Sequence, residues 1–335
     1  MNFSESDIRP ADLLDEYLRL NEADGKALLS DPGAMEHRSC PGCDEDEPVK
    51  AFDKNGFTLV RCYACNTLYV DPVPSAGALA AFYRDSHSSD YWANIFFPAV
   101  AEVRRSAIYR PRAKRVAGYA SKSQRLIDVG AGAGLFLEEF QAFNPEVSIA
   151  AVEPGASHVA DLRQKGIDTF AGFANEAAGD SAWASSADVV TCFEVLEHVS
   201  DPAALFHDLA ALARPGGLII VSGLSGSGFD IQVLGERAKP VSPPHHLTFL
   251  SIDGAEKLMR RSGLETLKIM TPGELDVDIV RNAALENPDI LTESEYRQLI
   301  LEGSDYDRRE FQEQLKQSRR SSHMWIVAQR PASKA

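Results

Sequence analysis

Residues 126–134 read Leu126-Ile127-Asp128-Val129-Gly130-Ala131-Gly132-Ala133-Gly134, an apolar strand ending in an acid and followed by three glycines at alternate positions. The run Leu135 to Phe143 behind them is apolar at helical spacing. Glycine lets a backbone turn sharply and approach a ligand where a Cβ would collide, and the first turn of a helix offers unpaired N–H groups to an anion. Strand, glycine turn and helix together describe a site for a small charged cofactor. Taken alone, the glycines also fit a tight strand-to-helix turn that needs no ligand. The spacing discriminates between cofactors. A dinucleotide motif, G-x-G-x-x-G, counted from Gly130 and Gly132 would put its third glycine at Leu135, whereas here it comes early, at Gly134.

Further features follow in chain order. Ser148 to Val152 is a second apolar strand ending at Glu153, whose carboxylate can accept both hydroxyls of a ribose. Ala187 to Phe193 is another strand, leading into Glu194-Val195-Leu196-Glu197-His198 and a helix from Pro202 to Leu212. Pro215-Gly216-Gly217 turns into the strand Leu218 to Val221, and Met324 to Gln329 is a late strand. D-x-G-x-G-x-G with these features in this order resembles the class I methyltransferases that use S-adenosylmethionine. The resemblance implies an α/β fold, a doubly wound, seven-stranded Rossmann-like methyltransferase sheet with an antiparallel seventh strand. It also implies S-adenosylmethionine as cofactor, held by Asp128, Gly130, Ala131, Gly132, Gly134, Glu153, Phe193 and Glu194, with Asp128 near the methionine amine.

Of five cysteines, four form Cys40-Pro-Gly-Cys43 and Cys62-Tyr-Ala-Cys65, two C-x2-C knuckles separated by eighteen residues. Each pair can bend two thiolates toward one point, and two pairs complete the closed tetrahedral shell of a structural zinc. Such a shell has no open position, so the metal would hold the fold and do no chemistry. Cys192 lies in an apolar strand and reads as core. The expected organisation is an N-terminal helical segment (1–37), a zinc ribbon (38–75), a helical lead-in (76–122) and the methyltransferase domain (123–335).

Within the first segment, Leu13, Leu14, Tyr17 and Leu18 predict a helix over 11–20, with a partner helix near Lys26 to Leu29. The lead-in predicts a helix from Ala78 to Tyr83, then a loop bearing Tyr91 and Trp92 that either folds over the cofactor as a lid or packs on a neighbour. Leu224 to Thr248, with Pro240, Pro243 and Pro244, reads as an irregular insertion shaping the acceptor side. The charged stretch Thr292 to Arg320 reads as a solvated helical cap. An acidic, polar start and an apolar stretch (Tyr91 to Val103) broken by Asn94, Pro98 and Glu102 predict a soluble cytoplasmic protein with no membrane insertion.

Methyl transfer from a sulfonium asks mainly for alignment and exclusion of water, but a hydroxyl acceptor gains from a base. His198, His245 and His246 are the candidates. Their other reading is structural, His198 capping a helix and the His pair bracing a Pro-rich loop. Glu194, Glu197 and His198 with His245 or His246 also resemble the divalent-metal arrangement of small-RNA 2′-O-methyltransferases and ubiquinone-pathway O-methyltransferases, although many relatives share these residues without a known metal. Asp276 and Asp278 either bind sugar hydroxyls or cap the next helix.

A ribbon whose second knuckle flows into Leu68-Tyr-Val-Asp-Pro-Val-Pro74 resembles a bacterial group associated with sugars, surface polysaccharides and secondary metabolites. The sugar C-methyltransferases of that group carry a further C-terminal domain with no counterpart here. The expectation is therefore O-methylation of a small-molecule or saccharide acceptor: a sugar, nucleotide sugar or polysaccharide. Two alternatives stay open: a zinc-ribbon RNA methyltransferase, and a catalytically silent module that binds S-adenosylmethionine. A net charge of −15, with Asp44, Glu45, Asp46 and Glu47 inside the ribbon, weighs against nucleic acid.

Overall fold

The computed structural model describes residues 3–332. A small antiparallel sheet comes first, with β1 (Pro48–Lys54), β2 (Phe57–Cys62) and β3 (Leu68–Val70). The central sheet follows, with β4 (Arg125–Val129), β5 (Ser148–Glu153), β6 (Asp168–Ala171), β7 (Ala187–Phe193) and β8 (Ala213–Leu224). Then come β9 (Thr248–Phe249), β10 (Glu265–Met270) and β11 (His323–Gln329). The central sheet has seven strands in the order β10-β11-β8-β7-β4-β5-β6, and β11 is antiparallel to both its neighbours. This is the expected doubly wound Rossmann-like sheet, with the strand order reversing beside β4, where the glycine turn leaves it.

The central strands are covered on both faces, which is why they read as unbroken apolar runs. Ile127, Val190 and Ile219 face the helices Pro202–Leu212 and Ile252–Arg261, while Leu126, Val189 and Ile220 face the helices Arg110–Tyr119 and Leu135–Phe143. All six side chains are fully buried. Each stabilises the fold by about 1.5–3 kcal/mol.

The small sheet takes its fourth strand from the insertion: β9 pairs with β3 through Thr248–Tyr69 and Phe249–Leu68. Residues far apart in sequence, around the knuckles and behind β8, are therefore fixed to one another by backbone hydrogen bonds.

Several local expectations need correction. The predicted helix pair in 11–29 is one helix, Ala11–Leu29. Gly25 does not break it, because it serves close packing: a Cβ there would lie 3.2 Å from Phe57 and 3.3 Å from Pro244. Tyr91 and Trp92 are not in a loop. They belong to a helical column from His87 to Tyr119 that widens by a residue at Trp92–Phe96 and Arg105–Tyr109, next to Pro98 and Pro111. Proline cannot donate the usual helical hydrogen bond, and both sit in the first turn after such a widening. The aromatic rings turn inward, Tyr17 lying 5.2 Å from Trp92 and Trp92 stacking on Phe96 at 4.4 Å. The helix predicted over Ala78–Tyr83 runs from Ala76 to Asp85, with Ser75 accepting from the Ala78 N–H as its cap.

Candidate cofactor and acceptor site

Gly130, Gly132 and Gly134 have φ of +73°, +52° and +78°, the left-handed region that side chains disfavour. Their surroundings differ. A Cβ on Gly130 would lie 2.6 Å from Val195 and one on Gly134 2.7 Å from Leu162, whereas one on Gly132 would meet nothing within 4 Å. The outer glycines are needed for packing, and Gly132 borders open space. Before the turn, Asp128 is buried and accepts a hydrogen bond from the Thr191 hydroxyl at 2.6 Å. Burial pushes its carboxyl up to about 7 against the opposing pull of Thr191 and Arg112. Ala131 packs on the edge of the apolar cluster that contains Phe136 and Phe193.

Glu153 ends β5 with 7% exposure, one oxygen accepting from the Gly132 N–H at 2.8 Å and the other from the Gly155 N–H at 2.9 Å. These bonds aim its carboxylate across the mouth of the glycine turn. His158 lies 3.7 Å away, and Glu153 raises its pKa by hydrogen bonding.

Phe193, at the end of β7, stacks edge-on against Phe136 at 4.8 Å and carries the Arg112 guanidinium over its face at 4.6 Å. Glu194 follows with φ +57°, and its side chain is 41% exposed. One of its oxygens accepts from Arg112 at 2.9 Å, from the Ser222 hydroxyl at 2.6 Å and lies 2.7 Å from His323 Nε2. Partial desolvation by its neighbours would raise the carboxyl, but His323 and Arg112 outweigh this and hold it well below the usual carboxylate range.

Beyond Glu194 the chain turns so that Glu197, His198 and His246 offer ligand atoms that all lie within 4.8 Å of one another. Glu194 is outside this set, paired with Arg112 instead, which corrects the grouping expected around Glu194, Glu197 and His198. Glu197 is 2% exposed and its Oε2 has no hydrogen-bond partner among the described residues. Burial and the neighbouring Glu194 charge push its carboxyl well up. His246 Nδ1–H donates to the Pro240 carbonyl at 2.5 Å, which leaves Nε2 bare. His198 Nδ1 is 3.1 Å from the Tyr83 hydroxyl, which also reaches the His245 carbonyl at 3.2 Å. Burial lowers both imidazoles, His246 to about 4, so they are neutral electron-pair donors at physiological pH. A buried, unpartnered carboxylate oxygen beside two neutral imidazoles is a donor set that suits a divalent cation.

His245 departs from its neighbour, its Nε2 lying 2.9 Å from the Ser88 hydroxyl under Tyr17 and Phe82. Asp276 and Asp278, read as sugar ligands or helix caps, are instead engaged in tertiary contacts, and the helix Asp276–Glu286 has no side-chain cap. Asp276 is 2% exposed and accepts from Ser321, Ser322 and Gln312, and Asp278 accepts from the Glu5 N–H. Cys192 is fully buried core.

Cys40, Cys43, Cys62 and Cys65 bring four sulfurs within 4.8 Å of one another, with Cys40–Cys65 and Cys43–Cys62 both at 3.5 Å. Hydrogen bonding between Cys40 and Cys65 lowers Cys65, helped by Thr67, and raises Cys40, so the two sulfurs share a proton that a bound cation would displace. Donor type, number and spacing fit a four-thiolate zinc.

Arg112, Thr191, Ser222, His323, Tyr83 and Ser88 carry no motif, and sequence reasoning did not reach them. Arg112 has one usable signal, an arginine in the helix that enters the first central strand, on the side from which the cofactor cleft is approached.

A family described as a methyltransferase domain matches residues 101–269. The ubiquinone biosynthesis O-methyltransferase of Xanthomonas axonopodis pv. citri is 31% identical over 149 residues, 42% of this chain and 62% of the relative. The enzyme of the same name from Aromatoleum aromaticum is 31% identical over 167 residues, 47% of this chain and 69% of the relative. The chain thus spans less than two thirds of the Xanthomonas protein's length. A solved S-adenosylmethionine-dependent methyltransferase from Archaeoglobus fulgidus superposes with a TM-score of 0.48 at 18% identity, covering 70% of this chain and 100% of that one.

Proposed function

The chain belongs to the methyltransferase-domain family of S-adenosylmethionine-dependent enzymes, and from that premise we propose that it methylates a hydroxyl of a small molecule, specifically a sugar, a nucleotide sugar or a polysaccharide unit. One observation carries the oxygen acceptor: beside the cofactor turn, His198, His245 and His246 gather within ring distances of 4.7 and 6.4 Å of His198, buried or half-buried and neutral. Neutral imidazoles are groups that a hydroxyl can lose its proton to, and an amine acceptor would not need them. The relatives named as O-methyltransferases support the same atom.

When bound, S-adenosylmethionine supplies a methyl group on a sulfonium leaving group. The chain does the rest. Gly132 leaves room for the cofactor, Glu153 takes the ribose hydroxyls, Asp128 faces the ammonium, and Phe193 and Glu194 close the cleft. A divalent cation, if carried, would be held by Glu197, His198 and His246 and would gather acceptor oxygens. A zinc ion on Cys40, Cys43, Cys62 and Cys65 would hold the small sheet against the rest.

The test is incubation with methyl-labelled donor and a panel of sugars, nucleotide sugars, glycans, simple phenols and RNA, followed by location of the label. Label on a saccharide oxygen is expected. Label on RNA, or cofactor binding with no transfer to any acceptor, would overturn the reading in favour of the two alternatives.

A further inference from the structure

Two arginines from outside the central sheet meet near its carboxyl edge, the edge at which doubly wound folds take their ligands. Arg9 follows the short helix Glu5–Ile8, which helix Asp276–Glu286 holds on one side: the Glu5 N–H donates to Asp278 at 2.7 Å and the Asn282 amide to Glu5 Oε2 at 3.1 Å. On the other side Arg104, in the helical column, donates to the Ile8 carbonyl at 3.4 Å. The same column is tied to the cofactor cleft at two further points. Arg105 donates to Glu138 at 2.8 Å, on the helix that leaves Gly134, and Arg112 donates to Glu194 at the end of β7. The charges interact accordingly. Burial lowers the Arg104 guanidinium to about 10, Arg9 and Arg112 pushing the same way against Tyr109 and Glu194, so it is still charged at neutral pH. The Arg9 charge also reaches His246, and Asp230 just past β8.

Of these three neighbouring guanidiniums only that of Arg112 has a carboxylate in hydrogen-bond contact. Arg104 lies over the Trp92 ring at 5.2 Å, and its Nε is sealed from solvent with no acceptor among the described residues. Arg9 Nη1 is likewise sealed and without an acceptor, the nearest carboxylate oxygen, Glu5 Oε1, standing 3.8 Å away, too far for a hydrogen bond. The other acid on that side, Asp230, is pushed up to about 7 by burial and by Asp276, so it offsets only part of the positive charge. Unsatisfied buried donors are costly, and a fold keeps them where a ligand brings the acceptor.

Resting on the reading of a small-molecule acceptor, we propose that Arg9 and Arg104 recognise an anionic oxygen group, a carboxylate or a phosphate, carried by that acceptor. A guanidinium is a flat fork of donors matched to two oxygens of such a group, and two forks can hold it from two sides. The acids Asp128, Glu153 and Glu194 belong to the cofactor end of the cleft, whereas Arg9 acts on His246 and Asp230 beyond it, which assigns the anion to the acceptor. Among saccharides this selects uronic acids, sugar phosphates and nucleotide sugars over neutral glycans.

The experiment uses the full chain with bound S-adenosylhomocysteine and 15N-labelled arginine, with the Nε–H signals of Arg9 and Arg104 assigned from Arg9→Lys and Arg104→Lys. Inorganic phosphate, acetate and glucose are titrated separately, with sodium chloride holding the ionic strength constant. A saturable shift of both signals is expected with phosphate or with acetate and none with glucose, phosphate pointing to a phosphorylated acceptor and acetate to a uronic acid. Absence of saturation with either anion would overturn the proposal. So would a shift seen in the free protein and lost with S-adenosylhomocysteine bound, because the arginines would then serve the cofactor's own carboxylate. Arg9→Gln and Arg104→Gln should weaken the anion about tenfold or more, leave affinity for S-adenosylhomocysteine unchanged, and contrast with the exposed control Arg19→Gln; undiminished anion affinity in both would overturn the assignment, and the wild-type titration decides the matter if either variant fails to fold. Methylation of a neutral saccharide at full rate by both variants would refute this inference and leave the proposed function standing. Saturable anion binding by a protein that methylates nothing would do the reverse.

Discussion

Among the three glycines, Gly132→Leu separates a binding role from a folding role. At φ +52° a non-glycine residue costs about 1–2 kcal/mol, but no atom within 4 Å opposes a Cβ there. The variant should therefore fold, with stability in urea reduced by about that amount. Gly130→Leu should behave differently. It adds a collision with Val195 at 2.6 Å to a similar backbone cost, and overpacking of this kind adds about 1–3 kcal/mol. For cofactor affinity the order reverses in significance. A leucine at 132 fills the open space that the turn borders, and the loss should be at least about a hundredfold, or about 2.8 kcal/mol at 1.4 kcal/mol per decade. The assay is calorimetric titration with S-adenosylhomocysteine on protein whose cooperative unfolding has been checked. A folded Gly132→Leu with wild-type affinity would refute the placement of the cofactor over this turn. So would equal destabilisation by the two substitutions, because the contrast in free space would then have no consequence.

Cys62→Ser should lose one zinc per chain by metal analysis while affinity for S-adenosylhomocysteine holds; metal-free wild type that unfolds cooperatively would count against a structural zinc. Asp128, raised to about 7 in the fold against an ordinary 3.8, binds a proton in the folded state that the unfolded chain has released, so the free protein should lose stability as pH rises through that interval. An ammonium beside it requires the charged form, so affinity for S-adenosylhomocysteine should rise about tenfold per pH unit toward 7 and then level off; Asp128→Asn should flatten both profiles, and an unchanged slope would exclude Asp128 as the source. Arg38 donates to the Ser200 and Leu247 carbonyls and so ties two loops together; Arg38→Lys should retain zinc and cofactor affinity but speed amide exchange in residues 196–200 and 245–249, and unaltered protection there would rule out Arg38 as a clamp on these loops.

Much of the cofactor side was legible because its requirements are local. An acid at a strand end, alternate glycines and a second acid 21 residues after Gly132 are enforced by backbone geometry within one crossover, and the fold places Gly132 and Glu153 in direct hydrogen-bond contact. The four cysteines were legible for the same reason, since each knuckle is a local turn. The surroundings of His245 were not, because its partners meet only through tertiary structure: Asp24, Ser88 and His245 are separated by 64 and 157 residues. The grouping of Glu194 with Glu197 and His198 failed on a single residue, Arg112, whose guanidinium claims that carboxylate. The misread loop at Tyr91 and Trp92 failed because proline and polar residues suggest an interruption, whereas a widened helical turn accommodates Pro98 and lets the aromatic rings pack on Tyr17.

The small sheet has a consequence for the acceptor side that follows from where Arg38 lies, two residues before the first cysteine. Its guanidinium donates to the Ser200 carbonyl, to the Leu247 carbonyl at 2.8 Å and to the Thr248 hydroxyl at 3.2 Å, while Nε reaches the Val70 carbonyl at 3.3 Å. Ser200 lies just past His198, and Leu247 just past His245 and His246. The same two loops are also joined directly, Leu247 N–H donating to the Glu197 carbonyl at 2.7 Å and the Thr248 hydroxyl to the Val199 carbonyl at 3.3 Å. A planar fork with several donors can bridge carbonyls on two loops and a third strand at once, which a lysine ammonium cannot do with fixed geometry. The path from the small sheet into the first knuckle, which carries Arg38, therefore fixes the two loops that bear His198, His245 and His246 relative to one another.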